Sequence, residues 1–306
     1  MVLKIPTSLR NLCIRALTES MDIRTMNHLI TNLIPGYDIY KQTGFPSSIA
    51  IPNIDVARQI TTDVIQWGKF LSFVRALVDA QDTGIMGRKY PISFLREILK
   101  STYELGFVFD TANKMFVENP SYRKTRNWGA LEEGEEYALV FLDIDIAGNS
   151  RLVRSNSQKS IQKSYADLRS IVGNSIDKRN GRFWKWEGDG GLVAFFFGDK
   201  HTAAVLSAME IVNELFIYNK TSCVLNEPLT VRIGIHGGSC EYSSNEEQLD
   251  KLETIKETHD LEESADADSV FISIVVKVML DEYISVHFPA VGTKKNGPFR
   301  YVLKLE

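Results

Sequence analysis

Two aspartates could do chemistry together, and one of them stands where a carboxylate is costly unless it is paired or binds a cation. Asp143 lies near the end of an apolar run, Phe141-Leu142-Asp143-Ile144-Asp145. Such a run suits a buried strand, and an unpaired charge there costs several kcal/mol. Asp189 sits among glycines in Glu187-Gly188-Asp189-Gly190-Gly191, a sequence that turns a hairpin. If the first strand lies beside that hairpin, the two carboxylates converge. Convergent carboxylates with room for phosphate suit Mg²⁺, which keeps several waters and takes one or two carboxylates plus substrate oxygens. Two such ions lower the pKa of an attacking hydroxyl and stabilise a leaving phosphate. The turn Ile146-Ala147-Gly148-Asn149-Ser150 runs into a helix, so its backbone N–H groups, with Asn149 and Ser150, form a candidate triphosphate site. Lys294 and Lys295, in a glycine-bounded segment near the end, are a second cationic element for the same phosphates.

These residues need a scaffold. Residues 137–146 read as a strand and 151–176 as a helix with Ile161, Tyr165, Leu168, Val172 and Ile176 on one face and Ser150 as N-cap. Residues 182–197 read as two strands, 200–218 as a helix and 229–240 as a strand. Residues 269–273 form a strand, 274–282 a short helix, and strands follow near 284–288 and 299–304. The order β-α-β-β-α-β predicts an α+β, ferredoxin-like or palm domain. Period two along the strand at 182–187 puts Lys185 and Glu187 on one face and Trp184 and Trp186 on the other.

The first half reads differently. Val56, Ile60, Val64, Trp67, Leu71, Val74 and Val78 step by three and four, the stripe of one long amphipathic helix over 55–80 that serves packing. Asp22 caps a shorter helix, and 93–103 forms another. Residues 1–115 are thus an α-helical module, 116–136 a polar linker, and 137–306 the domain that carries the chemistry.

Composition bounds the rest. The chain has 306 residues, 44% hydrophobic and 24% charged, enough for a normal globular core. A net charge of −4 argues against nucleic acid as a partner. Three scattered cysteines, Cys13, Cys223 and Cys240, give no disulfide framework or zinc motif and fit a reducing cytoplasm. Charges interrupt every apolar run before membrane length.

Three segments together resemble the class III nucleotidyl cyclases. Phe141-Leu142-Asp143-Ile144 is similar to their F-x-D-I strand. Lys185-Trp186-Glu187-Gly188-Asp189 is similar to their K-x-x-G-D motif. Val231-Arg232-Ile233-Gly234-Ile235-His236-Gly237-Gly238 is similar to their R-[IV]-G-[IV]-H-x-G strand. The resemblance covers residue 137 to the end. It implies that Asp143 and Asp189, with the Ile144 carbonyl, bind two Mg²⁺ or Mn²⁺ ions. It further implies cyclisation of a nucleoside triphosphate to a 3′,5′-cyclic monophosphate with release of pyrophosphate. Lys185 takes the position that reads the base in adenylyl-type members. A homodimer with sites at its interface follows from the same resemblance.

The departures are specific. The family's glycine three residues after the first metal aspartate is Ile146 here, and the nearby glycine is Gly148. The family's N-x-x-x-R pair aligns with Lys256 and Asp260, so Lys256 or His259 would supply the positive charge at the transition state. With these substitutions the chain looks most like the bacterial pyrimidine cyclases of the Pycsar anti-phage system. That likeness implies UTP, or else CTP, as substrate and cyclic UMP as a defence signal, with Trp184, Trp186 or an aromatic from a partner chain filling space beside a one-ring base. A diguanylate cyclase would need G-G-[DE]-E-F at the hairpin, which this turn lacks. A purine (adenylate or guanylate) cyclase and a non-catalytic nucleotide-binding module of the same fold are the remaining alternatives. Asp145 reads as a structural or supporting carboxylate, and His236 as a structural histidine.

Overall fold

The computed structural model describes residues 3–111, 113–119, 121–122, 125–249, 251–292 and 297–303. The chain divides into two compact units, Met1–Arg123 and Lys124–Glu306.

In the first unit the helices are α1 (Thr7–Ser20), α2 (Ile23–Leu33), α3 (Ile39–Thr43), α4 (Asn53–Gln66), α5 (Phe70–Asp82) and α6 (Leu95–Glu104). Asp22 caps α2 by accepting from the Thr25 N–H at 2.8 Å, satisfying one of the donors a helix start leaves open. The apolar stripe over 55–80 does not make one helix. Gly68, at φ +69°, breaks it into α4 and α5, and Trp67 is left 44% exposed instead of joining the core. Leu17, Ile30, Ile60, Phe73 and Leu77 are fully buried between the helices. An antiparallel hairpin, β1 (Phe107–Asp110) and β2 (Met115–Glu118), closes the unit. The linker expected at 116–136 therefore begins inside a strand. Farther along it, Trp128 and Leu131 are buried in the core of the second unit, because two large apolar side chains outweigh a polar background.

The second unit is built on a six-stranded sheet. Its elements in order are β3 (Glu136–Ile146), α7 (Asn149–Ser155), α8 (Gln158–Asp177), β4 (Arg182–Glu187), β5 (Gly190–Phe195), α9 (Lys200–Thr221), β6 (Val231–Glu241), α10 (Glu246–Leu249), α11 (Glu253–Glu263), β7 (Ser269–Ile272), α12 (Ile274–Lys277), α13 (Glu282–Ser285) and β8 (Phe299–Val302). The strand order is β4-β5-β3-β6-β7-β8. The first four of these positions are a split βαβ arrangement, with β5 inserted antiparallel between β3 and β4. The fold is α+β, as the pattern of elements predicts. β7 pairs parallel to β6 and β8 antiparallel to β7, extending the sheet.

Three local expectations differ. Ser150 caps nothing; α7 starts after Gly148, and Ser157 caps a separate α8 by accepting from the Ser160 N–H. The helix expected at 274–282 ends at Lys277. The strand expected near 284–288 is instead the helical turn α13 followed by irregular chain. Among the described residues, no helix is long and apolar enough to cross a membrane.

Alternation along β3 separates two faces. Val140, Leu142 and Ile144 join Leu168 and Val172 of α8 and Ala208, Ile211 and Leu215 of α9 in one apolar core. Leu139 and Phe141 face the other way, against Trp128, Trp184, Tyr242 and Ile255.

Candidate active site

The second face stops being apolar where β3 reaches Asp143 and Asp145. In the register Asp143 lies between Leu192 of β5 and Gly234 of β6, and Asp145 lies opposite Arg232. Arg232 donates from Nη2 to Asp145 Oδ2 at 3.0 Å. The hairpin between β4 and β5 closes tightly on this end of β3. A Cβ on Gly190 would stand 2.2 Å from the Ile144 carbonyl oxygen, so only glycine permits the approach. That approach brings Asp189 to the aspartates of β3. Burial, and then the nearby Asp189 charge, raise the Asp145 carboxyl above its ordinary range, against the lowering effect of Arg232. Asp189 Oδ2 accepts from Asn149 Nδ2, and Tyr165 Oη donates to Asn149 Oδ1 at 2.7 Å.

Helix α11 roofs the same place. It lies directly on β6, because a Cβ on Gly234 would meet the Glu262 nitrogen at 2.4 Å and the Thr258 oxygen at 2.5 Å. Gly238 gives Thr254 similar room. Across the sheet Gly234 pairs with Asp143, so the missing side chain lets α11 lean over that carboxylate. His259 then donates from Nδ1 to Asp143 Oδ2 at 3.0 Å. This hydrogen bond holds the imidazolium and pushes the His259 pKa up to about 9. Glu262, one turn on, has a side chain only 2% exposed and lies 2.9 Å from Arg232 Nε. Burial lifts its carboxyl to about 7.

The resulting cavity holds about 580 Å³ and is lined by Asp143, Ile144, Asp145, Lys185, Asp189, Arg232, Lys256, His259 and Glu262, among others. Of the residues singled out in the sequence, Asp143, Ile144, Lys185, Asp189 and Lys256 meet here. Lys185 lies 3.4 Å from Glu187 in an ion pair at the rim. Asn149 reaches the cavity only through its bond to Asp189. Ser150 is exposed on α7, a helix of seven residues whose short dipole makes a weak anion site. Lys294 and Lys295 lie outside the described residues.

The tryptophans correct the period-two reading. A bulge inserts Trp184 between Phe183 and Lys185, so Trp184 and Trp186 lie on opposite faces of the sheet. Trp184 is fully buried, donating from Nε1 to the Arg126 carbonyl and packing on Phe141. Trp186 stacks edge-on with Phe183 under the Arg169 guanidinium. Neither lines the cavity, so neither fills space beside a base there.

Sequence reasoning passed over Glu262 and gave Asp145 and Arg232 no direct part. The His259-x-x-Glu262 spacing on a helix was the available signal, since residues three apart share a face. The donor set suits a divalent cation. Asp143, Asp145, Asp189 and Glu262 line one cavity, Asp145 and Glu262 on Arg232, and the hard oxygens of carboxylates are what Mg²⁺ or Mn²⁺ takes.

No protein-family model matches the sequence, and no curated protein matches it. Among solved structures the chain is similar to the adenylate/guanylate cyclase/hydrolase from Silicibacter pomeroyi, at 23% identity and a TM-score of 0.46, over 56% of this chain and 99% of that one. It is also similar to the adenylyl cyclase CyaB from P. aeruginosa, at 18% identity and a TM-score of 0.45, over 56% and 96% of the two chains. A third is the guanylyl cyclase domain of the RhoGC fusion protein from Blastocladiella emersonii, at 16% identity and a TM-score of 0.43, over 51% and 91%. Similarity at this level transfers no activity.

Proposed function

We propose that the second unit is a metal-dependent nucleotidyl cyclase that converts a nucleoside triphosphate, UTP first among them, to its 3′,5′-cyclic monophosphate and pyrophosphate. The supporting observation is that Asp143 and Asp189, from separate segments, line one cavity together with Lys185 and Lys256. The order of the three cyclase-like motifs supports the same reading.

In the reaction the ribose 3′-oxygen forms a bond to the α-phosphorus while the bond from that phosphorus to the β-bridging oxygen breaks. The 3′-hydroxyl proton leaves and pyrophosphate departs. Asp143 and Asp189, with the Ile144 carbonyl, would hold divalent ions, which would supply Lewis acidity for that displacement. Asn149 orients the Asp189 carboxylate, and Tyr165 orients Asn149. Arg232 orients Asp145. Lys185 stands on the rim for the base, and Lys256 on α11 for phosphate charge. A homodimer, a cytoplasmic setting and a role in bacterial anti-phage signalling belong to the proposal through the resemblance alone.

The test incubates the full chain with UTP, CTP, ATP and GTP separately, with Mg²⁺ or Mn²⁺, and identifies products by mass spectrometry. Cyclic UMP from UTP supports the whole reading. Another cyclic nucleotide keeps the cyclase and replaces the base. One observation favours a non-catalytic nucleotide-binding module instead: Lys256 and Asp260 hold the positions of the family's transition-state Asn and Arg. That module binds a triphosphate without releasing pyrophosphate.

A further inference from the structure

Helix α11 brings Asp143 two donor groups to which the cyclase reading gives no metal role. His259 Nδ1 lies 3.0 Å from Asp143 Oδ2 and 3.7 Å from Glu262 Oε2. One donor atom from each of the three side chains falls within 4.8 Å of the others. An ion with bonds of about 2.1 Å separates neighbouring ligands by roughly 3.0–3.4 Å, in octahedral or tetrahedral geometry. His259 and Asp143 already stand at that spacing, and Glu262 Oε2, 3.7 Å from His259 Nδ1, stands just beyond it. We propose that Asp143, His259 and Glu262 bind one divalent first-row transition ion, through an imidazole nitrogen and two carboxylates.

Glu262 supplies a second, independent reason. Its side chain is 2% exposed, and its Oε1 stands 2.9 Å from Arg232 Nε in an ion pair. A carboxylate buried beside a second one, Asp143, is costly even with one arginine on it, and a cation at the other oxygen offsets the cost. Arg232 faces Oε1, so Oε2 is the oxygen turned toward His259. His259 and Glu262 are three residues apart on α11 and share a face, and Gly234 beneath them sets the height of the helix above Asp143. His259 is 55% exposed, which gives an ion a path in from solvent.

The imidazole decides the class of ion. Mg²⁺ takes oxygen ligands and holds its waters, whereas imidazole suits the later first-row ions up to Zn²⁺. The site is therefore distinct from the Asp143–Asp189 pair, although it shares Asp143 and to that extent rests on the cyclase reading. An ion held by α11 competes with that pair for one carboxylate.

The experiment titrates the metal-stripped full chain with Co²⁺ in millimolar Mg²⁺ and follows visible absorption. The expected result is one equivalent of Co²⁺ bound, displaced by Zn²⁺ and not by Mg²⁺. His259→Ala and the near-isosteric Glu262→Gln each weaken it by at least about tenfold, with circular dichroism confirming the fold, while Asp189→Asn retains it. Equal Co²⁺ affinity in the wild type and His259→Ala overturns the proposal, as does binding that requires Asp189 but not His259. The triphosphate assay separates the two readings. Cyclic product without His259-dependent Co²⁺ binding removes only this site. His259-dependent binding without product from any triphosphate removes only the cyclase.

Discussion

The two faces of the six-stranded sheet are made by the same strands and do different things. Along β3, Val140, Leu142 and Ile144 point into an apolar core shared with α8 and α9. Phe141, Asp143 and Asp145 alternate with them on the other side, and there the apolar packing on Trp184 gives way within two residues to a charged cavity. One face is closed by side-chain volume. The other is closed by a helix, α11, that sits on glycines and brings charge instead of bulk. The lesson is that stability and chemistry are divided by the pleat, so a substitution on β3 should affect one and largely spare the other.

The largest effect tests that division from the chemical side. Asp189→Ala or Asp143→Ala is expected to lower cyclic nucleotide formation by at least about a thousandfold, roughly 4 kcal/mol at the barrier. The melting temperature should fall far less than for a core substitution, because neither side chain belongs to an apolar core and Asp143→Ala loses only its bond to the half-exposed His259. Retained turnover in either variant would remove the site assignment. Leu142→Ala is the counterpart on the opposite face. Its side chain is fully buried, and its loss should cost about 2–5 kcal/mol of stability. At temperatures where that variant is still folded, its turnover should stay near wild type. A collapse of both quantities in one variant would mean the faces are not separable.

How much of this was legible follows the same division. The alternation of β3, the split order of strands and helices, and the Asp189 turn were readable, because each depends on residues close in sequence. The cap at Asp22 was readable for the same reason. The Trp184 bulge was not, since period-two counting has no sign for one extra residue. Nor was the break at Gly68 inside a continuous apolar stripe. The roof of the site was hidden for a stronger reason. Glu262 reaches Asp143 only because Gly234, paired across the sheet, lets α11 come down. That arrangement joins three distant segments, and none of them announces it alone.

Gly234→Ala sharpens the comparison from the helix side. The added methyl would meet backbone atoms of α11 at 2.4 and 2.5 Å, so the helix must shift. Overpacking of this kind costs about 1–3 kcal/mol. The expected outcome is a moderate loss of stability with a disproportionate loss of turnover, because the displaced residues are those over Asp143. Hydrogen exchange should show faster exchange in α11 with β3 and β5 still protected. Uniformly faster exchange across the sheet would show that α11 is part of the core and not a separable roof.

The smallest effect is a pH dependence on the face that α11 covers. His236 on β6 is 6% exposed, with Nδ1 2.9 Å from the Ser273 hydroxyl and Nε2 3.0 Å from Glu257 of α11. Burial lowers its pKa from 6.5, against an upward pull from Glu257, and burial lowers His201 as well. As the pH falls through 6.5, the unfolded chain takes up protons before the folded one does. The contribution to stability is therefore complete above 6.5 and is lost as the pH falls through the lowered value. Between pH 7.5 and 5.5 the wild type should lose more melting temperature than His236→Gln, which cannot take up that proton. An equal loss in both would mean that Glu257 holds the imidazolium well enough to cancel the burial, and that α11 is bound to β6 by an ion pair as well as by close packing on glycine.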